Sequence, residues 1–169
     1  MIDLQRVLVA TDFGPASDAA LRYGRELASR LGASLTVLHV VDDMYMRVSI
    51  SASGFGYLTE LTTIQRDTEE AAQRNLKALF SGEEQAALHA RTELIVSNTP
   101  ATAIVEFAAH DRADLIIIGT NGRTGAARFF IGSVAERVVR TAACPVLVIH
   151  HPEREFVLPD TPTQRVSAA

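Results

Sequence analysis

The chain has 169 residues and a formal net charge of −4, with 47% hydrophobic and 21% charged residues. This length fits one domain with a sizeable core, and the composition is typical of a globular protein. The acidic balance disfavours general binding to nucleic acid or to an anionic membrane surface. The apolar runs are too short to span a bilayer and no signal peptide is apparent, so we expect a cytoplasmic protein with neither nucleic acid nor a membrane as partner.

Short apolar segments alternate with helical patterns along the chain, which predicts a parallel sheet built from βαβ units. Strands are predicted at 6–11, 34–41, 91–97, 114–119 and 145–150. The first helix begins near Pro15 and ends before Gly32, and further helices are predicted at 59–80, 101–112 and 133–142. Residues 42–58 show neither the pattern of a strand nor the periodicity of a helix, so they are interpreted as a mobile loop.

Five such strands with right-handed crossovers predict an α/β fold, a Rossmann-like doubly wound five-stranded parallel sheet in the order 3-2-1-4-5, with helices on both faces. The order reverses between strands 1 and 4, and ligands of such sheets bind at the carboxyl ends beside the reversal. Thr11, Asp12 and Gly119 occupy those ends and are therefore expected to line a crevice. This domain is predicted to cover 1–151, followed by a flexible tail at 152–169.

Glycines frame a long loop after the fourth strand. Gly119 ends the strand, Gly122 follows three residues later, and Gly132 directly precedes a helix. Ser133 and Glu136 have the spacing of a capping box, which predicts that the helix begins there. The first amides of a helix and the positive end of its dipole form an anion site, for which phosphate is a common occupant.

The same residues also permit a purely structural interpretation, in which the glycines form turns and Ser133 caps a helix without any ligand. The length of the loop favours a ligand, because βα connections usually take 2–6 residues. Arg123 and Arg128 add positive charge to the loop. A Walker loop and a dinucleotide fingerprint are absent from the sequence, and its spacing indicates neither catalytic residues nor a metal-ligand set.

The pattern G-x2-G-x9-G-[ST], from Gly119 to Ser133, resembles the ATP-binding signature of the universal stress protein family. VLVATDF at 7–13 and LHVVD at 38–42 resemble the family's first strand and the end of its second strand. GSVAERV at 132–138, followed by CPVLVI at 144–149, resembles its C-terminal helix and strand. The resemblance extends over about residues 4–150 in the same order, and it implies ATP, bound with Mg²⁺, as the ligand.

The resemblance also implies roles for individual residues. The phosphates would be surrounded by Gly119, Asn121, Gly122, Gly132, Ser133 and Val134. Asp12 would accept hydrogen bonds from the ribose hydroxyls, although it could instead be an Asx-type cap for the first helix. The backbone of Val40 would contact the adenine edge, with Ala10 and Thr11 packing nearby. Asn121 stands where many relatives have a histidine, so chemistry that depends on that histidine is in doubt.

The function implied is a nucleotide-dependent regulatory module of the stress response. Two alternatives stay open at this point: a slow ATP hydrolase or phosphotransferase, and a nucleotide-free dimeric stress adaptor. The family usually dimerises through its last strand, here 145–150, which would be an apolar sheet edge that pairing removes. We therefore expect a homodimer.

Overall fold

The computed structural model describes residues 3–45, 56–120 and 131–150. Their strands are β1 (Arg6–Thr11), β2 (Ser34–Val41), β3 (Arg91–Val96), β4 (Leu115–Gly119) and β5 (Val146–Ile149). Their helices are α1 (Pro15–Leu31), α2 (Gly56–Lys77), α3 (Gly82–Ala87), α4 (Pro100–Asp111) and α5 (Ser133–Thr141). In this part of the chain, no helix is both long enough and apolar enough to cross a bilayer. The predicted tail and most of the predicted 42–58 loop lie outside the described residues.

The strands form one all-parallel sheet in the order β3-β2-β1-β4-β5, which confirms the predicted topology. In the centre of the sheet, Val9 on β1 lies opposite Val37 on β2 and Ile117 on β4. The reversal of direction therefore falls between β1 and β4, with the carboxyl ends of both strands at the same edge of the sheet.

Two hydrophobic cores lie on the two faces of the sheet. On one face, Val7 and Val9 belong to a cluster that includes residues of α1 and α2. On the other face, Leu8 and Ala10 belong to a cluster that includes residues of α4 and α5. Successive side chains of a strand point to opposite faces, so a strand buried on both sides is an uninterrupted apolar run. Burial of each large aliphatic side chain stabilises the fold by about 1.5–3 kcal/mol.

The short helix α3 was not predicted from the sequence. Its N-cap is Ser81, whose Oγ accepts a hydrogen bond from Glu84 N at 3.2 Å, while Ser81 N donates to Glu84 Oε2 at 3.1 Å. This is a complete capping box. The spacing of Ser81 and Glu84 was the signal in the sequence that could have identified this helix.

Candidate functional site

A cavity of about 340 Å³ lies at the carboxyl ends of the strands, beside the reversal of the sheet. Its floor includes a row of three side chains on neighbouring strands, since Ala10 on β1 lies opposite both Leu38 on β2 and Ile118 on β4. Its walls include the beginnings of α4 and α5 and the turn after β1. This volume is within the range of small-molecule sites, which begins at about 300 Å³.

Most residues predicted to bind a ligand are brought together at this cavity. Those lining it are Ala10, Thr11, Asp12, Val40, Gly119, Gly132, Ser133 and Val134. Asn121, Gly122 and Arg123 lie outside the described residues, so their placement stays a prediction. The roles assigned to all of these residues toward a nucleotide are likewise predictions.

Sequence reasoning missed other residues that line the cavity: Ser17, Leu38, Pro100, Ile104, Ile118, Thr120 and Ala135. Leu38 and Ile118 could have been found from strand register, because they flank Ala10 once the strand order is known. Pro100 begins the helix after β3 and therefore lies at the carboxyl edge of the sheet. The sequence carried no comparable signal for Thr120, which resembles an ordinary loop residue.

The turn between β1 and α1 is closed by a chain of hydrogen bonds around the buried Ser17 hydroxyl. Ser17 Oγ donates to Asp12 Oδ1 at 2.8 Å and accepts from Thr11 Oγ1 at 3.1 Å. Gly14 N donates to the same Asp12 oxygen at 3.0 Å. The bond from Gly14 closes an Asx turn at Asp12. The N-cap of α1 is Gly14, so Asp12 is not the cap of the first helix that the sequence offered as its alternative role. Because Asp12 also lines the cavity, the Asx turn and ligand binding are compatible.

Backbone strain accompanies this turn at Phe13, whose φ of 60° is in the left-handed region that non-glycine residues rarely occupy. The conformation is held by a 3.0 Å hydrogen bond from Phe13 N to Thr11 Oγ1 and by packing of the Phe13 ring on His39, with the centroids 4.4 Å apart. His39 is buried, and its Nδ1 lies 2.7 Å from the carbonyl oxygen of Thr11. The neighbours of Asp12 thus fix its position at the rim of the cavity.

On the opposite wall, α5 begins at Ser133 as predicted, but its cap differs from the prediction. Gly132, not Ser133, is the N-cap of α5, because the carbonyl of Gly132 accepts the hydrogen bond of Glu136 N at 2.9 Å. The predicted capping box of Ser133 and Glu136 is therefore wrong. Glu136 instead pairs with Arg140 one turn later, at 3.3 Å. Ser133 occupies the first helical position and is exposed, so capping does not require its hydroxyl.

Gly119 and Gly132 line the same cavity for different reasons. A Cβ on Gly119 would lie 2.6 Å from the backbone carbon of Ala16, so glycine is needed there for β4 to pack against the start of α1. Gly132 has φ −58° and ψ 148°, a conformation that any residue adopts. Backbone conformation does not explain glycine at 132, whereas close approach of a ligand would.

The cavity is electrostatically divided. Asp12 is the one charged residue among the described residues that line it, and no lysine or arginine of the described ranges does so. At the other wall, the amides of Ser133, Val134 and Ala135 precede the first hydrogen bond of α5, so the positive end of that helix faces the cavity. An anion is favoured beside α5 and disfavoured beside Asp12.

Cys144 lies outside the cavity lining. Burial raises the pKa of the Cys144 thiol, and the carboxylate of Asp114 raises that pKa further. The protonated form is therefore favoured at neutral pH, and a protonated thiol is a poor nucleophile. This residue is suited to packing against β4 and β5.

Comparison with known proteins agrees with this geometry. The model of the universal stress protein family matches residues 3–150. A universal stress protein of Methanocaldococcus jannaschii is 35% identical over 151 residues, which cover 89% of this chain and 85% of that protein.

Solved structures show the same fold. The universal stress protein UspA from Lactobacillus plantarum has a TM-score of 0.67 at 28% identity, covering 88% of this chain and 99% of that one. The universal stress protein from Archaeoglobus fulgidus, solved in complex with dAMP, has a TM-score of 0.52 at 25% identity and the same coverage. Because the family model matches residues 3–150 and the Methanocaldococcus jannaschii relative is 35% identical over most of both chains, this chain belongs to the universal stress protein family.

Proposed function

We propose that this universal stress protein binds ATP in the cavity beside β1 and β4 and acts as a nucleotide-dependent regulatory module of the stress response. The observation that carries the proposal is the start of α5. There, three amides without intrahelical acceptors and a glycine in an ordinary conformation face the same cavity. Amides at a helix N-terminus bind phosphate, and the missing Cβ leaves room for it.

The division of charge orients the nucleotide. Its phosphates lie beside Gly132, Ser133 and Val134, with Gly119 nearby and with Asn121, Gly122 and Arg123 contributing from the loop. Asp12 repels phosphate and accepts hydrogen bonds, so the ribose hydroxyls lie at that end. The base lies over the apolar floor, with the backbone of Val40 at its edge and with Ala10 and Thr11 nearby. The dAMP bound by the Archaeoglobus fulgidus relative supports a nucleotide as the ligand class.

Magnesium would enter with the nucleotide. Among residues 3–45, 56–120 and 131–150, no group of three or more carboxylate, histidine or cysteine side chains could hold a metal ion. Mg²⁺ commonly keeps several waters and binds through substrate phosphates with one or two carboxylates. Asp12 is the carboxylate in the described lining, so the phosphates and water would hold most of the ion's coordination sites. The cation would neutralise phosphate charge that no arginine or lysine in the described lining balances.

Isothermal titration with Mg-ATP tests the proposal. We expect a dissociation constant in the micromolar range, about −8 kcal/mol. Gly132→Val should abolish binding, because a branched side chain fills the space of the phosphates, while stability falls by no more than about 1 kcal/mol. Gly82→Val is the matched control, since Gly82 likewise lies at the start of a helix, one position after its N-cap, and an added Cβ there meets nothing within 4 Å.

Unchanged ATP affinity in Gly132→Val would contradict the assignment of the phosphates to α5. A protein that stays empty at millimolar Mg-ATP would instead favour the nucleotide-free adaptor. A regulatory module should turn over ATP no faster than buffer controls, whereas release of phosphate above that background would favour the hydrolase.

We also propose that the protein is a homodimer paired through the 145–150 segment. Val146, Leu147 and Val148 of the edge strand β5 are only partly buried, and Val139 on the adjacent helix is 47% exposed. An exposed apolar edge strand is a liability that pairing with a second copy removes. Sedimentation at tens of micromolar should give twice the chain mass, and a monomer at that concentration would refute the dimer.

A further inference from the structure

Thr120 follows β4 directly and is held from two sides. Its backbone N–H donates to the carbonyl of Ile149 on β5 at 2.8 Å, and its carbonyl accepts from Gly132 N. Both bonds are made by the backbone, so they fix the position of the residue without using its side chain. Thr120 therefore joins the sheet to the start of α5, at the wall of the cavity where the phosphates are proposed to bind.

The Thr120 side chain is 1% exposed, and within the described ranges its Oγ1 has no hydrogen-bond partner. A buried hydroxyl without a partner is unfavourable, and native proteins rarely keep one without a reason. Thr11, which ends the neighbouring strand β1, gives the contrast. Thr11 is also buried, but its hydroxyl both donates to Ser17 Oγ and accepts from Phe13 N.

We infer that the Thr120 hydroxyl is a ligand-binding group that donates a hydrogen bond to a phosphate oxygen of the bound nucleotide, an inference that rests on the proposed function. Thr120 lines the cavity and its carbonyl accepts a hydrogen bond from Gly132 N, so the residue lies next to the start of α5. A threonine hydroxyl reaches a new acceptor by rotation between staggered χ1 wells. The phosphate supplies an acceptor that the described residues do not, and the bond gains strength from the negative charge.

The test compares Thr120→Val, which keeps the shape and removes the hydroxyl, with Thr120→Ser, which keeps the hydroxyl. Mg-ATP and adenosine are titrated into each variant and into the wild type, and thermal unfolding of the ligand-free proteins is measured. We expect Thr120→Val to weaken Mg-ATP binding about tenfold, the loss of one charge-assisted hydrogen bond. Its affinity for adenosine should not change, because adenosine has no phosphate. Thr120→Ser should bind Mg-ATP within about threefold of the wild type.

The unfolding data separate a ligand role from a structural one. Because the hydroxyl has no partner in the part of the chain that the structure describes, ligand-free Thr120→Val should melt at the wild-type temperature or above it. A variant that melts several degrees lower or fails to fold would overturn the inference, because the hydroxyl would then serve the fold. Wild-type Mg-ATP affinity in Thr120→Val, or an equal loss for adenosine, would overturn it while leaving the proposed function intact. Absence of Mg-ATP binding in the wild type would overturn both.

Discussion

Two helix starts face each other across the cavity, and they use polar groups in opposite ways. At the start of α1, the side chains of Thr11, Asp12 and Ser17 bond to one another and to the turn. Both N-caps are glycines, Gly14 and Gly132, but at the start of α5 the nearby Thr120 hydroxyl has no partner among the described residues. The side-chain groups beside α1 are bonded within the protein, whereas the hydroxyl beside α5 is suited to bond a further molecule.

This difference separates residues that build the site from residues that bind in it. Hydrogen bonds that close within the protein set the position of a group before any ligand arrives, which lowers the entropic cost of binding. Donors that lack an acceptor gain the most stabilisation when a bound anion provides one. Asp12 belongs to the first kind through its bonds with Gly14 and Ser17, whereas the amides at the start of α5 belong to the second.

The largest effect is expected from Gly119→Ala, where β4 packs against the start of α1. The new methyl group would lie 2.6 Å from the backbone carbon of Ala16, and backbone cannot move aside as a flexible side chain can. Overpacking of this kind should lower the free energy of unfolding by about 3 kcal/mol, or roughly 10 °C in melting temperature.

Gly82→Ala provides the control for that change, because an added Cβ at 82 meets nothing within 4 Å. Its free energy of unfolding should stay within about 0.5 kcal/mol of the wild type. Equal stability of Gly119→Ala and Gly82→Ala in urea would show that β4 does not pack against the start of α1 as described. The two helix starts would then not differ in the way proposed.

The sequence predicted the sheet and most of the cavity because both depend on local patterns. Apolar runs of strand length, separated by helical periods, predict a parallel sheet with right-handed crossovers, for which 3-2-1-4-5 is a common order that the runs themselves do not determine. Asp12 was then predicted from its position at a strand end, and Gly132 from its position before a helix. Thr120 and the true cap of α5 depend on the hydrogen bond from Gly132 N to the Thr120 carbonyl, and no local pattern encodes a contact between residues so far apart in the sequence.

The local geometry of the helix starts also explains why Ser133 was wrongly predicted to be a cap and why Ser81 was overlooked as one. Both serines stand three residues before a glutamate, so spacing alone cannot distinguish them. The preceding residue decides, because Gly132 takes an extended conformation and its carbonyl accepts the first helical hydrogen bond. Ser133 is thereby moved one position into α5, where its hydroxyl cannot reach the amide that a cap satisfies.

The smallest effects are predicted for alanine substitutions of these two serines, of which only Ser81 is a cap. Ser81→Ala removes a hydroxyl that accepts from Glu84 N and should lower the free energy of unfolding by about 1 kcal/mol. Ser133→Ala removes no cap and should lower it by at most about 0.3 kcal/mol, since alanine suits a helix interior better than serine. Urea denaturation of the two variants without nucleotide is the measurement. A larger loss for Ser133→Ala than for Ser81→Ala would mean that Ser133 does cap α5, and that the start of this helix is closed by its own side chain instead of being open to phosphate.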